Sequence, residues 1–373
     1  MNNLAALIAA LITQGALNRV ANIPGLQLGV PGRQYLGATL LPIRQVPENY
    51  VRADNITYRT MLANTGTRYS PVTLRGGAMV GSVGIELGEI DTGSDFTSVE
   101  YDALLRLLAA NNTMEGTAAV LDWVTRTLAL PIQERIEKQR WEAIDDALVI
   151  REGDNGYREE VPYPNPTGHR ITVESGTTGT PDGWYDPTHD PLEDVDALIS
   201  LLADKGYAAG RIITSRTLLN VLLRHPRIRG ELGGLTVQGG NVVAQSGRVT
   251  QDALNAYFAA NGWPAVEVYD LTARRSDGTT VRFKRETAFT VIAQTARAAQ
   301  VDLPDEVRVL NDTLGYAAVG RAAGQAAPGI VVRAEVKENK PPRIEGEAWA
   351  TAAPIILDPE AIACLTVPAP TAE

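Results

Sequence analysis

The sequence predicts an α+β fold with extended appendages, and three observations carry that prediction. Residues 23–48 are broken by Pro24, Gly25, Gly29, Pro31, Gly32, Gly37, Pro42 and Pro47, a density that forbids a long helix and favours an extended strap. From about Thr117 to Leu148, the residues Leu121, Val124, Leu128, Ile132, Ile136, Ala143 and Ala147 recur at three- and four-residue steps, the mark of one long helix. Beyond Asp190, short strand-like and helix-like runs alternate.

The elements follow in order. Leu4, Leu7, Ile8, Leu11 and Ile12 predict a short amphipathic helix ending near Gly15. After the strap, Ile56, Tyr58, Thr60 and Leu62 alternate on one face, "ANTGT" is a turn, and "RYSPVTL" and "MVGSVGIELGEI" return as strands. Such a ribbon has little core of its own and needs a partner to be stable. Pro131 removes one hydrogen bond from the long helix and should bend it. "REGDNGYREEV" reads as a hairpin turning at Asp154–Gly156, and "HRITVES" as a strand. A helix carrying Leu192, Val195, Leu198, Ile199 and Leu202 ends at Gly206, the strand "RIIT" follows, and a second helix runs from Ser215 to a stop at Pro226. "TQDALNAYFAANG" is a third helix, and "AVEVYDL" and "VRFKRETAFTVIA" are strands about the turn Ser276–Gly278. The end, Gly329 to Val367, reads as strands interrupted by Pro341–Pro342 and Pro354.

Composition narrows the function. A net charge of −10 argues against a dedicated nucleic-acid binder, which needs clustered cations. The charge is uneven: residues 1–75 carry seven arginines against Glu48 and Asp54, a net +5, and the rest carries −15. Only five of the 34 basic residues are lysines, and none precedes Lys138. Arginine's planar fork pairs bidentately with carboxylates, so an arginine-only first fifth on an acidic body suggests an arm that docks on a neighbouring copy. The single cysteine, Cys364 in "AIACLTV", excludes a disulfide framework and reads as a small packed hydrophobe. "LAALIAALI" lacks preceding cations and is too short to span a bilayer, so neither a signal peptide nor a membrane span is expected.

"GWYDPTHDPLED" (183–194) is the one stretch that looks like chemistry, with Asp186, His189, Asp190, Glu193 and Asp194 crowded beside Trp184 and Tyr185. A metal-dependent hydrolase built on His189 and these carboxylates is one reading. The other is a helix entry: Asp190 caps, Pro191 takes the first helical position, Glu193 closes a capping box and Asp194 complements the helix dipole. The three histidines are distant in sequence, and "GGAMVGSVG" (76–84) lacks the lysine of a phosphate loop and the spacing of a nucleophile elbow. The helix entry is the better reading; no catalytic, metal or cofactor residue is assigned.

The ordered series "GWYDPTHDPLEDVDALISLL", "GRIITSRTLLNVLLRHPRIRGEL", "VEVYDLTARRSDGTTVRFKRETAFTVIA", "NDTLGYAAVGRA" and "PIILDPEAIACLTV" resembles the phage lambda capsid protein E family, major capsid proteins of tailed bacteriophages. The resemblance covers most of residues 117–367 and implies the Hong Kong 97-like capsid fold. It divides the chain into an N-terminal arm (1–47), an extended hairpin loop (48–95), a peripheral domain (96–185) with its spine helix at about 117–148, an axial α/β domain (186–328), return strands of the peripheral domain (329–367) and a tail (368–373). The implied function is self-assembly, as hexamers and pentamers, into an icosahedral head shell that encloses double-stranded DNA without sequence-specific contacts. The implied partners are scaffold and portal proteins and a decoration protein, and the implied location is the virion, with assembly in the host cytoplasm. An encapsulin-like compartment shell is the related alternative. The expected assembly interface comprises Arg44, Arg52, Tyr58, Arg59, Arg68 and Arg75, with Asp190 and Glu193 as a helix cap.

Overall fold

The computed structural model describes residues 3–13, 15–22, 35–58, 78–109, 113–153, 156–173, 183–232, 235–238, 241–244, 249–275, 277–294, 314–337 and 339–368. Helices α1 (Asn3–Thr13), α2 (Ala16–Ala21) and α3 (Leu36–Leu40) precede β1 (Ile43–Gln45). The ribbon of β2 (Tyr50–Tyr58) and β3 (Ala78–Glu86) is followed by β4 (Gly88–Phe96). Helices α4 (Ser98–Ala109), α5 (Thr113–Trp123) and α6 (Leu130–Asp146) come next, the last two joined by a π-helical stretch, Val124–Ala129. Strands β5 (Leu148–Glu152), β6 (Arg158–Pro162) and β7 (Arg170–Thr172) lead to a 3-10 turn, Gly183–Tyr185. Then come α7 (Pro191–Asp204), β8 (Ala209–Thr214), α8 (Arg216–Arg224), α9 (Pro226–Leu232), β9 (Leu235–Gln238), β10 (Asn241–Ala244) and α10 (Gln251–Ala260). Strands β11 (Val266–Val268), β12 (Thr272–Arg274), β13 (Thr280–Arg282) and β14 (Ala288–Ala293) follow, and β15 (Gly315–Val319), β16 (Val331–Lys337), β17 (Arg343–Ile356) and β18 (Ile362–Thr366) close the described chain.

The long helix spans α5, the π stretch and α6. Pro131 does not interrupt it. With no amide at Pro131, the helix widens just before it, and Leu130 N–H bonds five residues back to Thr125 O. The wide turn absorbs the missing donor and keeps Val124, Leu128, Ala129 and Ile132 all fully buried on one face. Ala147, in the left-handed region at φ 50°, ends the helix and turns the chain into β5.

That buried face lies on a five-stranded sheet organised around β17. One flank of β17 carries β4 (Ile344↔Phe96 to Ala352↔Gly88); the other carries β16 along its first half and β15 along its second, with β1 parallel to β15. Gly346 makes the approach of the helix possible, since a Cβ there would lie 2.5 Å from Trp123 Cη2 and 2.7 Å from Leu128 Cδ1. Pro354, expected to interrupt a strand, sits inside β17. It lies beyond the last β4 pair, and its partner Ala317 turns its own N–H to Pro42 O, so the missing proline donor costs no ladder bond.

A second five-stranded sheet, ordered β11-β8-β14-β18-β7, packs under α7, with Val195, Leu198, Leu202, Ile212, Phe289, Val291 and Leu365 in its core. A third apolar cluster, around Trp141, Ile144, Tyr269, Phe283 and Ile355, joins the two sheets at the C-terminal end of the long helix.

Several expectations change. β4, assigned to the hairpin region, is a strand of the first sheet, and the ribbon proper is β2 with β3, paired Tyr50↔Glu86 through Tyr58↔Ala78. β18, grouped with the returning strands, pairs with β14 and β7 in the second sheet, because its run of buried residues Ile362–Leu365 needs cover on both faces. Pro226 ends α8 as expected but opens α9 at a first helical position. "VRFKRETAFTVIA" is two strands, β13 and β14, separated by a bend. Within the strap, residues 36–40 form the short α3, and residues 23–34 lie outside the described residues. The hairpin "REGDNGYREEV" forms as β5–β6, with residues 154–155 of its turn outside the described residues.

Candidate assembly surfaces

The helix-entry stretch assembles as a structural knot. Asp190 Oδ1 accepts Leu192 N–H at 3.0 Å, capping α7, while Oδ2 takes two bonds from the Arg227 guanidinium at 3.1 and 2.7 Å, tying α7 to α9. Burial works to raise the Asp190 carboxyl's pKa, but these bonds outweigh it and hold the group below the usual range. Glu193 stands exposed in the first turn and, among the described residues, makes no bond back to the Asp190 amide, so the expected capping box is only half formed. Asp194 does more than complement the dipole: its Oδ2 accepts Trp184 Nε1–H at 2.7 Å and faces His189 Nε2 at 2.7 Å. His225 Nε2 lies 3.0 Å from Asp186 O, and its Nδ1 accepts the Arg227 amide at 3.3 Å. Asp186 Oδ1 accepts the Thr188 N–H and hydroxyl, both at 2.8 Å, so that Asp186, His189, Asp190 and Asp194, though not Glu193, are occupied in fixing the turn. Among the described residues no three His, Cys, Asp or Glu side chains gather as metal ligands would. A groove of about 440 Å³ lies beside the knot, lined by Trp184, Tyr185, Asn220, Val221 and Arg224.

Two buried polar clusters brace the core. Glu137 Oε1 accepts from Gly37 N, Trp141 Nε1 and Tyr269 OH at 2.8, 2.9 and 2.7 Å, and Oε2 pairs with Arg140 at 3.0 Å. One carboxylate therefore joins α3, the long helix and the segment after β11. Burial raises the Tyr269 hydroxyl's pKa and lowers that of Arg140. Eight residues on, Asp145 Oδ1 meets Lys284 Nζ at 2.8 Å and the Thr290 hydroxyl at 2.6 Å, and Lys284 Nζ lies 4.9 Å from the centre of the Trp141 ring. Cys364 packs against Thr290, and burial pushes its thiol up to about 11, away from nucleophilic use.

The outward face of the first sheet is acidic. Cross-strand pairing sets Asp95, Glu345 and Glu335 in one row over three strands, Glu347 in the next beside Arg333, and Asp91 and Glu89 further along β4. Lys337 and Arg343 neutralise Glu335 and Glu345 of that row, at 2.9 Å and 2.5 Å, and Arg333 stands opposite Glu347, so the acidic surplus lies in Asp95, Asp91 and Glu89 of β4. Like charges directly opposite one another destabilise a free sheet. The arginines of the N-terminal region lie elsewhere. Arg44 is exposed on β1 with its guanidinium 5.2 Å from the centre of the Tyr316 ring, and Arg52 is exposed near the base of the ribbon. Tyr58 ends β2; its side chain, and Arg59, Arg68 and Arg75 altogether, lie outside the described residues. At the ribbon's foot, Leu87 N–H bonds Asn49 O at 2.8 Å, and Arg151 reaches Glu86 O at 2.5 Å through space left by Gly88.

Sequence reasoning missed the acidic face, which becomes visible only once β4, β16 and β17 are in register. It also missed the Asp194 contacts, although Trp184, ten residues before Asp194 and next to a turn, was a usable hint.

The model of the family described as phage major capsid protein E matches residues 29–367. A protein assigned as a prophage capsid protein from Escherichia coli is similar in structure at 15% identity and TM-score 0.57, covering 96% of this chain and 98% of the other. A phage-related protein from Bordetella bronchiseptica is similar at 14% identity and TM-score 0.51, covering 94% and 96%. An encapsulin complex from Synechococcus elongatus is similar at 13% identity and TM-score 0.41, covering 94% of each. No curated protein sequence matches the chain.

Proposed function

The chain belongs to the phage major capsid protein E family, has the Hong Kong 97-like capsid fold and functions as a shell protein of a tailed-phage icosahedral head; from that premise we propose how its surfaces build the shell. Copies associate as hexamers and pentamers, with the arginine-bearing ribbon of one copy, and Arg44 exposed on β1 beside it, meeting the acidic sheet face of the next. The observation that carries this is the pairing of two incomplete surfaces: a two-stranded ribbon and the carboxylates Asp95, Asp91 and Glu89 of β4, which no cation among the described residues pairs. Each exposed charge pair contributes only about 0.2–1 kcal/mol, but a shell repeats it in every copy. The role is structural, not enzymatic: His189, the best candidate for chemistry, is held within the α7 entry. DNA is enclosed without sequence-specific contacts, in keeping with the net charge of −10. Among the described residues no helix is long and apolar enough to cross a membrane. Assembly with scaffold and portal proteins in the host cytoplasm, a decoration protein on the finished head, and residence in the virion complete the reading.

The test is reversal of Arg44, Arg59 and Arg68 to Glu. The expected outcome is folded subunits by circular dichroism with particle yield in electron micrographs reduced at least tenfold. Normal yield from the triple variant rejects the charge-docking proposal.

A further inference from the structure

Helices α1 and α2 fold back on their own subunit. Ile8, Leu11, Leu17 and Ala21 are buried in the cluster that includes Leu104, Val124 and Val332. Two asparagines, Asn18 in α2 and Asn22 just after it, engage the edge of β16 and the residue before it, an edge that no other described strand pairs. Ile330 N–H donates to Asn22 Oδ1 at 2.7 Å and Asn22 Nδ2 donates back to Ile330 O at 2.6 Å, the two bonds that a neighbouring strand would make. Val332 N–H donates to Asn18 Oδ1 at 2.7 Å. The spacings agree: four residues of helix rise about 6 Å, and two residues of strand advance about 6.6 Å. The edge is shaped for the contact as well. Gly329 has φ 140°, and a Cβ on it would lie 2.6 Å from Asn22 Oδ1. The helix pair precedes residue 29, where the family match begins, and the connecting residues 23–34 are rich in proline and glycine.

We propose that residues 3–22 are a guard on the β16 edge, in which Asn18 and Asn22 imitate an adjacent strand and so keep a second copy of this chain from adding there through its own β16. An open strand edge is a template for pairing with another chain, and identical edges meet antiparallel about a two-fold axis. The guard is local to the chain and is separate from the charge docking of the ribbon.

Three full-length variants test it without reading shell formation. In Asn18→Ala/Asn22→Ala, hydrogen exchange at the Ile330 and Val332 amides should accelerate at least tenfold while β14 and β18 amides stay protected. In Leu11→Asp/Leu17→Asp, which undocks the helices, made on the Arg44→Glu/Arg59→Glu/Arg68→Glu chain so that charge docking does not contribute, sedimentation should show concentration-dependent pairing, reversed by adding a synthetic peptide of residues 1–22. Adding Ala334→Pro to the undocked chain should abolish that pairing, because by strand alternation the Ala334 amide points away from β17 and only the outer edge loses a donor. Unchanged exchange at Ile330 and Val332 overturns the proposal. So does an undocked chain that stays monomeric, or association that survives Ala334→Pro, which would trace it to exposed apolar surface.

Discussion

At Asp190 a single carboxylate caps α7 and pins α9. Asp190→Ala should cost about 0.5–2 kcal/mol through the lost cap, read as a lower denaturant midpoint. The pH dependence follows from the sign of the shift. The folded pKa is depressed, so the stabilisation is present above the unfolded value of about 4 and is lost as pH falls through the folded value. Acid titration of wild type and Asp190→Ala should therefore converge below that range. Gly346 sets the opposite kind of limit. Gly346→Ala places a methyl group within 2.5 Å of Trp123, and the overpacking should cost about 1–3 kcal/mol. A stability equal to wild type would show that the helix can back away from β17.

The long helix and the bend between β13 and β14 are coupled through Asp145 and Lys284, both essentially without solvent contact. Lys284→Met leaves a buried carboxylate unpaired and should destabilise by about 3–5 kcal/mol, while Asp145→Leu/Lys284→Met should recover a substantial part of the loss. Thermal or urea unfolding of the single and double variants measures the coupling. At this scale the limits of the sequence become clear. The α7 entry was legible because Asp-Pro and the apolar spacing after it act within one turn. The long helix was legible because its stripe runs for many turns. The partner of β4 was not legible, because the strand follows the ribbon in sequence and only cross-strand register assigns it to β17. Nor was the seat of α1: its apolar stripe is visible, but Asn18 and Asn22 acquire meaning only beside Ile330 and Val332, more than 300 residues away. Pro354 misled for the same reason, since a proline breaks a strand only where its donor is needed.

Across the whole molecule, the distribution of lysine makes a prediction about covalent chemistry. A crosslink from a ribbon side chain to a carboxyl or amide of another copy requires an amine nucleophile, and arginine stays protonated. Residues 48–95 contain no lysine, and the five lysines are Lys138, Lys205, Lys284, Lys337 and Lys340. With Cys364 buried, disulfides between copies are excluded too. Particles boiled in detergent without reductant should run as one band near 40.0 kDa, and a ladder of oligomers would refute the prediction.

The layout of β17 bears on how a subunit carries force. Its residues 344–352 are laddered to β4 on one side, while β16 and β15 divide the other. A pull along this strand loads the rungs in shear, so that many must fail together, whereas a peeling force would break them one at a time. Resistance to fast loading is set by the unfolding barrier and not by equilibrium stability. A container swollen from within stretches its wall tangentially. Provided β17 lies in the plane of that wall, it is a tie rod, and the long helix strapped across it at Gly346 is its stiffener.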